Sequence, residues 1–267
     1  MTDFDRVVEV LHGVRNIVLD PALSSRVTVK NPADYVTGTD YAVQEYLRVA
    51  LAGIYPGAAL VSEENPQNNY GSRAVWILDP IDGTTNLIHG YGKSAVSLAL
   101  VADGEGVFGA VYNPFSDEMF TARRGGGAYL NGRPIHCAER RSLSECLANT
   151  ETSPYYKESS EVSFEILRRL FLRCQDIRVL GSAALGLAYV AAGRADLFMS
   201  RNLKPWDHAA TGIIIKEAGG CISDFSGRPL GYEGVECVIA GALGIWDELR
   251  EFAAEFKSKT EWSENVY

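Results

Sequence analysis

Residues 76–86 read Trp76-Ile77-Leu78-Asp79-Pro80-Ile81-Asp82-Gly83-Thr84-Thr85-Asn86. The apolar start is that of a buried strand delivering Asp79 at its end, after which Pro80 and Gly83 turn the chain sharply. Two carboxylates three residues apart at the end of such a strand are costly unless something positive neutralises them. Hard divalent ions meet that need, because magnesium prefers carboxylate oxygens and keeps positions open for phosphate and water. Gly83, Thr84 and Thr85 would offer backbone N–H groups to a phosphate. A surface turn rich in Asp and Gly has the same composition, and this stretch alone leaves both readings open.

Two further chain ends bear on the choice. Residues 58–62, Ala-Ala-Leu-Val-Ser, form a short apolar strand that runs into Glu63 and Glu64. That pair is either a solvated acidic turn or a second contribution to the cluster. Pro205-Trp206-Asp207 opens a helix running through AATGIIIKEAGG, where Asp207 is either a cap or a third contribution. Three acid-bearing termini able to point at one cleft favour a metal site over three unrelated turns.

The rest of the chain alternates helices and strands. Phe4, Val7, Val8, Leu11, Val14, Ile17 and Val18 recur at helical spacing, with Asp3 as the expected cap and Pro21 as the stop. A polar stretch, VTVKNPADYVTGTD, leads to a second amphipathic helix capped by Thr39 or Asp40, with Val43, Tyr46, Leu47, Ala50 and Leu51 on one face. Strands are predicted over 58–62, 74–79, 94–102 and 106–113, and 117–130 as two strands joined through Gly125, Gly126 and Gly127. That triple glycine lacks the helix and GK[ST] of a phosphate loop, so it is read as a hairpin turn. Residues 139–162 are polar and are expected to mark the boundary between two intimate halves of a single unit, about 1–145 and 146–267. Beyond them come a helix at 161–174, a strand at 176–180, a helix from Ser182, a strand at 195–200 and a helix from near Trp206. A short hairpin turning at Phe225-Ser-Gly-Arg-Pro229, a strand at 236–240 and a closing helix over about 243–257 complete the chain. Neighbouring antiparallel strands mixed with layered helices make α+β the expected class rather than a doubly wound sheet.

Composition narrows the partners. At 267 residues, 46% hydrophobic and 22% charged, the chain is that of an ordinary soluble globular protein. It is long enough to fold without a disulfide or structural metal. A net charge of -9, from 34 acidic and 25 basic residues, argues against nucleic acid as a bulk partner. A small anionic substrate remains allowed, since a bound cation inverts the local field. Cys137, Cys146, Cys174, Cys221 and Cys237 form no CxxC pair and read as thiols in a reducing compartment. The acidic start MTDFDRVVEVLHGV and the lack of a roughly 20-residue apolar run point to a cytoplasmic protein with no membrane partner. His12, His89, His136 and His208 have no metal-site spacing, and His89 and His208 read as packing or supporting groups.

Taken in order, Ser62-Glu63-Glu64, Asp79-Pro-Ile-Asp82-Gly-Thr-Thr-Asn86 and Pro205-Trp206-Asp207-His-Ala-Ala resemble the signatures of the inositol monophosphatase superfamily. Asp34-Tyr-Val-Thr37-Gly-Thr39-Asp40, Gly181-Ser182-Ala183 and Glu217-Ala-Gly-Gly220 are similar to its supporting segments, so the resemblance runs from about 30 to 242. It implies an alternating α/β layered sandwich like that of fructose-1,6-bisphosphatase, usually a homodimer. It also implies Mg2+-dependent, lithium-sensitive hydrolysis of a small phosphate monoester, foremost myo-inositol 1-phosphate, with two or three Mg2+ ions and Mn2+ as a possible substitute. By resemblance, Glu63, Asp79 and the Ile81 carbonyl hold a first metal, and Asp79, Asp82 and Asp207 a second. Thr84 with Glu63 orients and deprotonates water, with Asp82 completing the catalytic set. Asp82, Gly83 and Thr84 face the phosphate, and Ala183, Ser200 and Asp207 the alcohol. Ser200 is the one departure: inositol-preferring relatives carry a Glu there, seven residues before the PWD aspartate. With Arg201, Asn202 and Lys204 beside it, Ser200 marks either neutral drift or a shift to a substrate with a second phosphate, for which Arg201 or Lys204 would turn inward. Relatives also act on fructose 1,6-bisphosphate, histidinol phosphate, nucleotide 3′-phosphates and NADP, and some bacterial ones look like accessory factors of transcription or ribosome assembly.

Overall fold

The computed structural model describes residues 3–65 and 70–256. The N-terminal apolar pattern makes two helices rather than one, α1 (Asp3–Gly13) and α2 (Arg15–Val18), and a further short helix, α3 (Pro21–Ser24), follows. Pro21 lies just beyond the end of the pattern, as expected, but it does not lead into a loop. It starts α3, whose cap is the Asp20 side chain, because proline at a first helical position loses only an N–H that has no partner there. The polar stretch that follows is a hairpin of β1 (Val27–Asn31) and β2 (Asp34–Thr37). Its alternation was hidden because the first strand is solvent-exposed on both faces. The next helix, α4 (Gly38–Ile54), is capped neither by Thr39 nor by Asp40. Thr37 is the cap, and Asp40 completes a capping box by accepting from the Thr37 N–H at 2.8 Å. On the predicted face, Val43, Leu47 and Leu51 are buried while Tyr46 is exposed.

Two sheets follow. The first comprises β3 (Ala59–Ser62), β4 (Ala74–Asp82), β5 (Ala95–Ala102), β6 (Glu105–Asn113), β7 (Glu118–Arg123), β8 (Gly127–Leu130) and β9 (Arg133–Ile135), with α5 (Thr84–Ile88) after β4. The strands lie in chain order, antiparallel except for the parallel pair β3/β4. The triple glycine is the predicted hairpin turn, with Gly125 and Gly127 at positive φ. The predicted boundary segment contains β10 (Leu147–Thr150), followed by α6 (Ser160–Arg173), β11 (Asp176–Val179), α7 (Ala183–Ala191), β12 (Leu197–Leu203), α8 (Pro205–Glu217), β13 (Gly220–Asp224), β14 (Glu236–Ala242) and α9 (Trp246–Ala254). The second sheet runs β11-β10-β12-β14-β13. The predicted short hairpin is wider: eleven residues, 225–235, join β13 to β14. Of the predicted closing helix, residue 257 lies outside the described residues.

The layers alternate helix and sheet, the α+β sandwich expected. Val7, Leu11, Val43 and Leu47 of α1 and α4 pack on Trp76, Leu78, Val96 and Leu98 of the larger sheet. Its other face, including Val75, Ile77, Ala99 and Phe120, packs on α7 and α8, which also meet Phe198, Val238 and Ala240 of the smaller sheet. Ile166, Leu170 and Phe252, from α6 and α9, cover that sheet's outer side. Central strands are buried on both faces, which is why 74–79 reads as a continuous apolar run.

A glycine sets how closely α8 approaches. A Cβ on Gly109 of β6 would lie 2.3 Å from the Ala210 carbonyl oxygen of α8. Gly109→Ala is therefore expected to force α8 off the sheet and cost about 3 kcal/mol, the upper end for overpacking. Urea unfolding checks this, and an unchanged midpoint would contradict it.

Candidate active site

β4 does not stop at Asp79. It continues to Asp82, with a register irregularity between Asp79, opposite Ser97, and Asp82, opposite Ala95. Side chains alternate along a strand, so Asp79 follows Val75 and Ile77 onto the face covered by α8. Gly83 then adopts φ 85°, and a Cβ there would meet the Gly181 carbonyl at 2.8 Å. That close contact explains the glycine and ties the turn to the segment before α7. Asn86 locks the same junction, donating to the carbonyls of Lys93 (2.7 Å), Leu180 (2.9 Å) and Gly181 (3.1 Å).

Carboxylate oxygens of Asp79, Asp82 and Asp207 lie within 4.8 Å of one another. Asp82 accepts from the Ser182 hydroxyl and from the Ala184 (2.8 Å) and Ala183 (3.3 Å) N–H groups at the start of α7. Asp207 is the third residue of α8 and accepts from the Lys204 N–H at 2.7 Å, so its cap role and its place in the cluster coexist. Ser97 donates to the Trp206 carbonyl (3.0 Å), pinning the start of α8 to β5. Glu63 stands outside this trio: its carboxyl is 3.5 Å from Lys30 Nζ, and it also hydrogen-bonds to Asp79. Lys30 further reaches Glu64 (2.8 Å) and Asp34 (3.4 Å).

Electrostatics mark the cluster as incomplete without a cation. Burial, then the neighbouring carboxylates, pushes Asp79 and Asp207 well above the usual range. Asp82 is raised to about 6 by burial, opposed by its bonds from Ser182 and α7. Glu63 is raised to about 7, again chiefly by burial, with Lys30 opposing. The donors are oxygens throughout, with no Cys or His in the group, which fits a hard ion such as Mg2+ rather than zinc.

Of the remaining predicted residues, Thr84 is buried beside the trio. Its hydroxyl is 3.1 Å from the Ile81 carbonyl and 3.3 Å from Asp40 Oδ1. Its carboxylate partner is thus Asp40, while Glu63 faces Asp79 and Lys30. Ser200 is buried, and its hydroxyl donates to the Arg201 carbonyl at 3.4 Å. Arg201 does not turn toward the cluster: buried, it donates to the Ser159 carbonyl at 3.2 Å, on the α6 side of the sheet. Strand alternation gives the reason, since Arg201 follows Leu197 and Met199 onto that face.

Several residues here escaped sequence reasoning. Asp40 was read as a cap and as part of a supporting segment, not as a group of the site, although burial raises it to about 6. Glu151 directly follows β10, accepts from the Gly181 N–H at 3.0 Å, and is raised to about 8 by burial and then by Asp82. Tyr155 is 51% exposed, yet burial of its hydroxyl and then the charges of Glu63, Asp34, Asp207 and Asp79 raise its pKa. Both lie in the polar segment read as a boundary, where no periodicity pointed to them.

Comparison with known proteins gives the same direction. The model of the inositol monophosphatase family matches residues 5–261. A Nus factor SuhB of Xylella fastidiosa is 39% identical over 199 residues, covering 74% of this chain and 72% of that one. A fructose-1,6-bisphosphatase/inositol-1-monophosphatase of Thermotoga maritima is 41% identical over 197 residues, 73% of either chain. The solved Thermotoga maritima IMPase superposes with a TM-score of 0.86 at 33% identity, over 96% of this chain and 98% of that one.

Proposed function

The chain belongs to the inositol monophosphatase family, and from that premise we propose that it hydrolyses a small soluble phosphate monoester, myo-inositol 1-phosphate foremost. The observation that carries this reading is the trio of buried Asp79 and Asp82 with half-buried Asp207, three carboxylates gathered where a cation would relieve their mutual repulsion. Glu63, Asp79 and the Ile81 carbonyl would hold one Mg2+, and Asp79, Asp82 and Asp207 another. Ions so held supply charge neutralisation and a water of lowered pKa. Thr84 would orient the attacking water, and Glu63 or Asp40 would accept its proton. The Gly83 and Thr84 N–H groups receive the phosphate, while Ala183, Ser200 and Asp207 line the alcohol side. No Ser or Cys nucleophile is needed, because phosphoryl transfer depends on positioning and charge stabilisation. We extend to the chain the family's homodimer and lithium sensitivity; a rate flat across a lithium titration would withdraw the latter.

A second reading, hydrolysis of a sugar bisphosphate, is favoured by Ser200, which neither accepts strongly from ring hydroxyls nor repels a second phosphate. The bisphosphatase name of the Thermotoga relative agrees. The Nus factor name of the Xylella relative raises a role beside transcription. The filled carboxylate positions and the net charge of -9 weigh against that as the main role. Phosphate release with Mg2+ from inositol 1-phosphate, fructose 1,6-bisphosphate and other sugar phosphates tests the assignment. Inositol 1-phosphate should turn over with at least one bisphosphate or sugar phosphate comparable. Ser200→Glu should move the kcat/KM ratio about tenfold toward inositol phosphate, the worth of one charge-assisted hydrogen bond. An unchanged ratio would mean that Ser200 does not face substrate.

A further inference from the structure

Asp82 is held from the start of α7, by the Ser182 hydroxyl and the Ala183 and Ala184 N–H groups. The helix itself, AALGLAYVA, is apolar apart from Tyr189, and every residue but Tyr189 is buried. Burial of apolar surface is non-directional, so packing holds such a helix against the sheets without fixing it along its axis. Polar contacts must set where its first turn stands.

β10 provides them at two points. Asn149 Nδ2 donates to the Gly186 carbonyl at 3.0 Å, inside α7. Two residues on, where an extended chain presents the same face again, Glu151 Oε2 accepts the Gly181 N–H at 3.0 Å. The strand register explains the reach. Thr150 lies opposite Val179, which brings Glu151 level with Leu180, at the turn into α7. The Leu180 and Ser182 N–H groups also face this carboxylate.

That turn has no slack. Gly181 is at φ 70°, and a Cβ on it would meet Asn86 Oδ1 at 3.0 Å. Its carbonyl is the atom that excludes a side chain from Gly83. A displacement of residues 180–182 is therefore passed to Gly83 and Asn86 and, through Ser182, to Asp82. Glu151 is also placed at a cost, since its Oε1 is buried without a hydrogen-bond partner. Stability alone does not explain such a residue.

We propose that Glu151 is a positioning residue for the carboxylate cluster, fixing the 180–182 turn so that Ser182, Ala183 and Ala184 hold Asp82 in place for a cation. The inference rests on the reading of Asp82 as a metal ligand. Removing a group that orients a ligand typically costs about 10–100-fold in metal affinity or activity. Glu151 acts one contact further back, which puts the expected loss at about tenfold. Its contribution is an acceptor oxygen, so an amide should serve in its place.

Amide exchange in the metal-free full chain is the first test. Glu151→Met removes the acceptor and keeps much of the side chain's length. The Ala183 and Ala184 N–H groups should then exchange about tenfold faster. Val111, buried in the middle of β6, should be unchanged. Glu151→Gln should exchange as the wild type does. In the assay with Mg2+ and inositol 1-phosphate, Glu151→Met should lower kcat/KM about tenfold and raise the Mg2+ needed for half-maximal rate by a similar factor. Glu151→Gln should restore both to within about threefold. Glu151→Ala replaces the Met variant if that one does not fold. Unchanged exchange at Ala183 and Ala184, an equal acceleration at Val111, or equal losses in the Gln and Met variants would overturn the proposal. The exchange measurement needs neither metal nor substrate, so its failure bears on Glu151 alone, whereas turnover without Mg2+ would overturn the reading of Asp82.

Discussion

Asp82→Asn and Asp207→Asn should each lower kcat by at least about a hundredfold without destabilising the metal-free fold. Each removes one charge from a shared cation site, and a hundredfold corresponds to about 2.7 kcal/mol of lost transition-state stabilisation. The amides keep an oxygen for the bonds these positions accept, from Ala184 at 2.8 Å and Lys204 at 2.7 Å. They also remove like-charge repulsion from a trio in which Asp79 and Asp82 are buried and Asp207 half-buried. The metal-free variants should therefore melt at or above the wild-type temperature, the reverse of a structural role. Activity above about a tenth of wild type would exclude a ligand role for the residue concerned, since that loss is worth only about 1.4 kcal/mol.

The second large effect concerns pH. Asp40, Asp82 and Glu63 are raised to about 6, 6 and 7, each mainly by burial. A raised carboxyl binds its proton in the folded state where the unfolded chain has already lost it. Stability is therefore full below about pH 4 for these groups and is lost as pH rises through 6 and 7. A move as large as that of Asp40, from 3.8 to about 6, is worth roughly 3 kcal/mol. The metal-free protein should melt lower at pH 8 than at pH 5, and Mg2+ should raise Tm far more at pH 8, where it does not compete with protons. Melting curves at both pH values, with Mg2+ and with chelator, check this. An equal Mg2+ effect at both would show that these carboxylates do not couple to the metal.

What the sequence made legible follows the physics of each signal. Asp79, Asp82 and Asp207 were readable because a buried strand or helix end tolerates acids only with a partner. The layered class was readable because strands buried on both faces and amphipathic helices carry different periods. The hairpin at 27–37 was not, since exposed residues on both faces of its first strand erase alternation. Asp40 was misjudged because one side chain serves two purposes, its Oδ2 completing a capping box while its Oδ1 faces Thr84. Glu151 reaches the site through tertiary packing against Gly181, which leaves no local pattern. Arg201 looked available for substrate, and only the register of β12 shows that it points the other way.

Metal removal tests the central claim most directly. Wild-type protein assayed for phosphate release from inositol 1-phosphate should fall to background in excess EDTA and recover when Mg2+ is restored, because an all-carboxylate site holds magnesium loosely. Full turnover in EDTA would contradict the account, whatever the substrate.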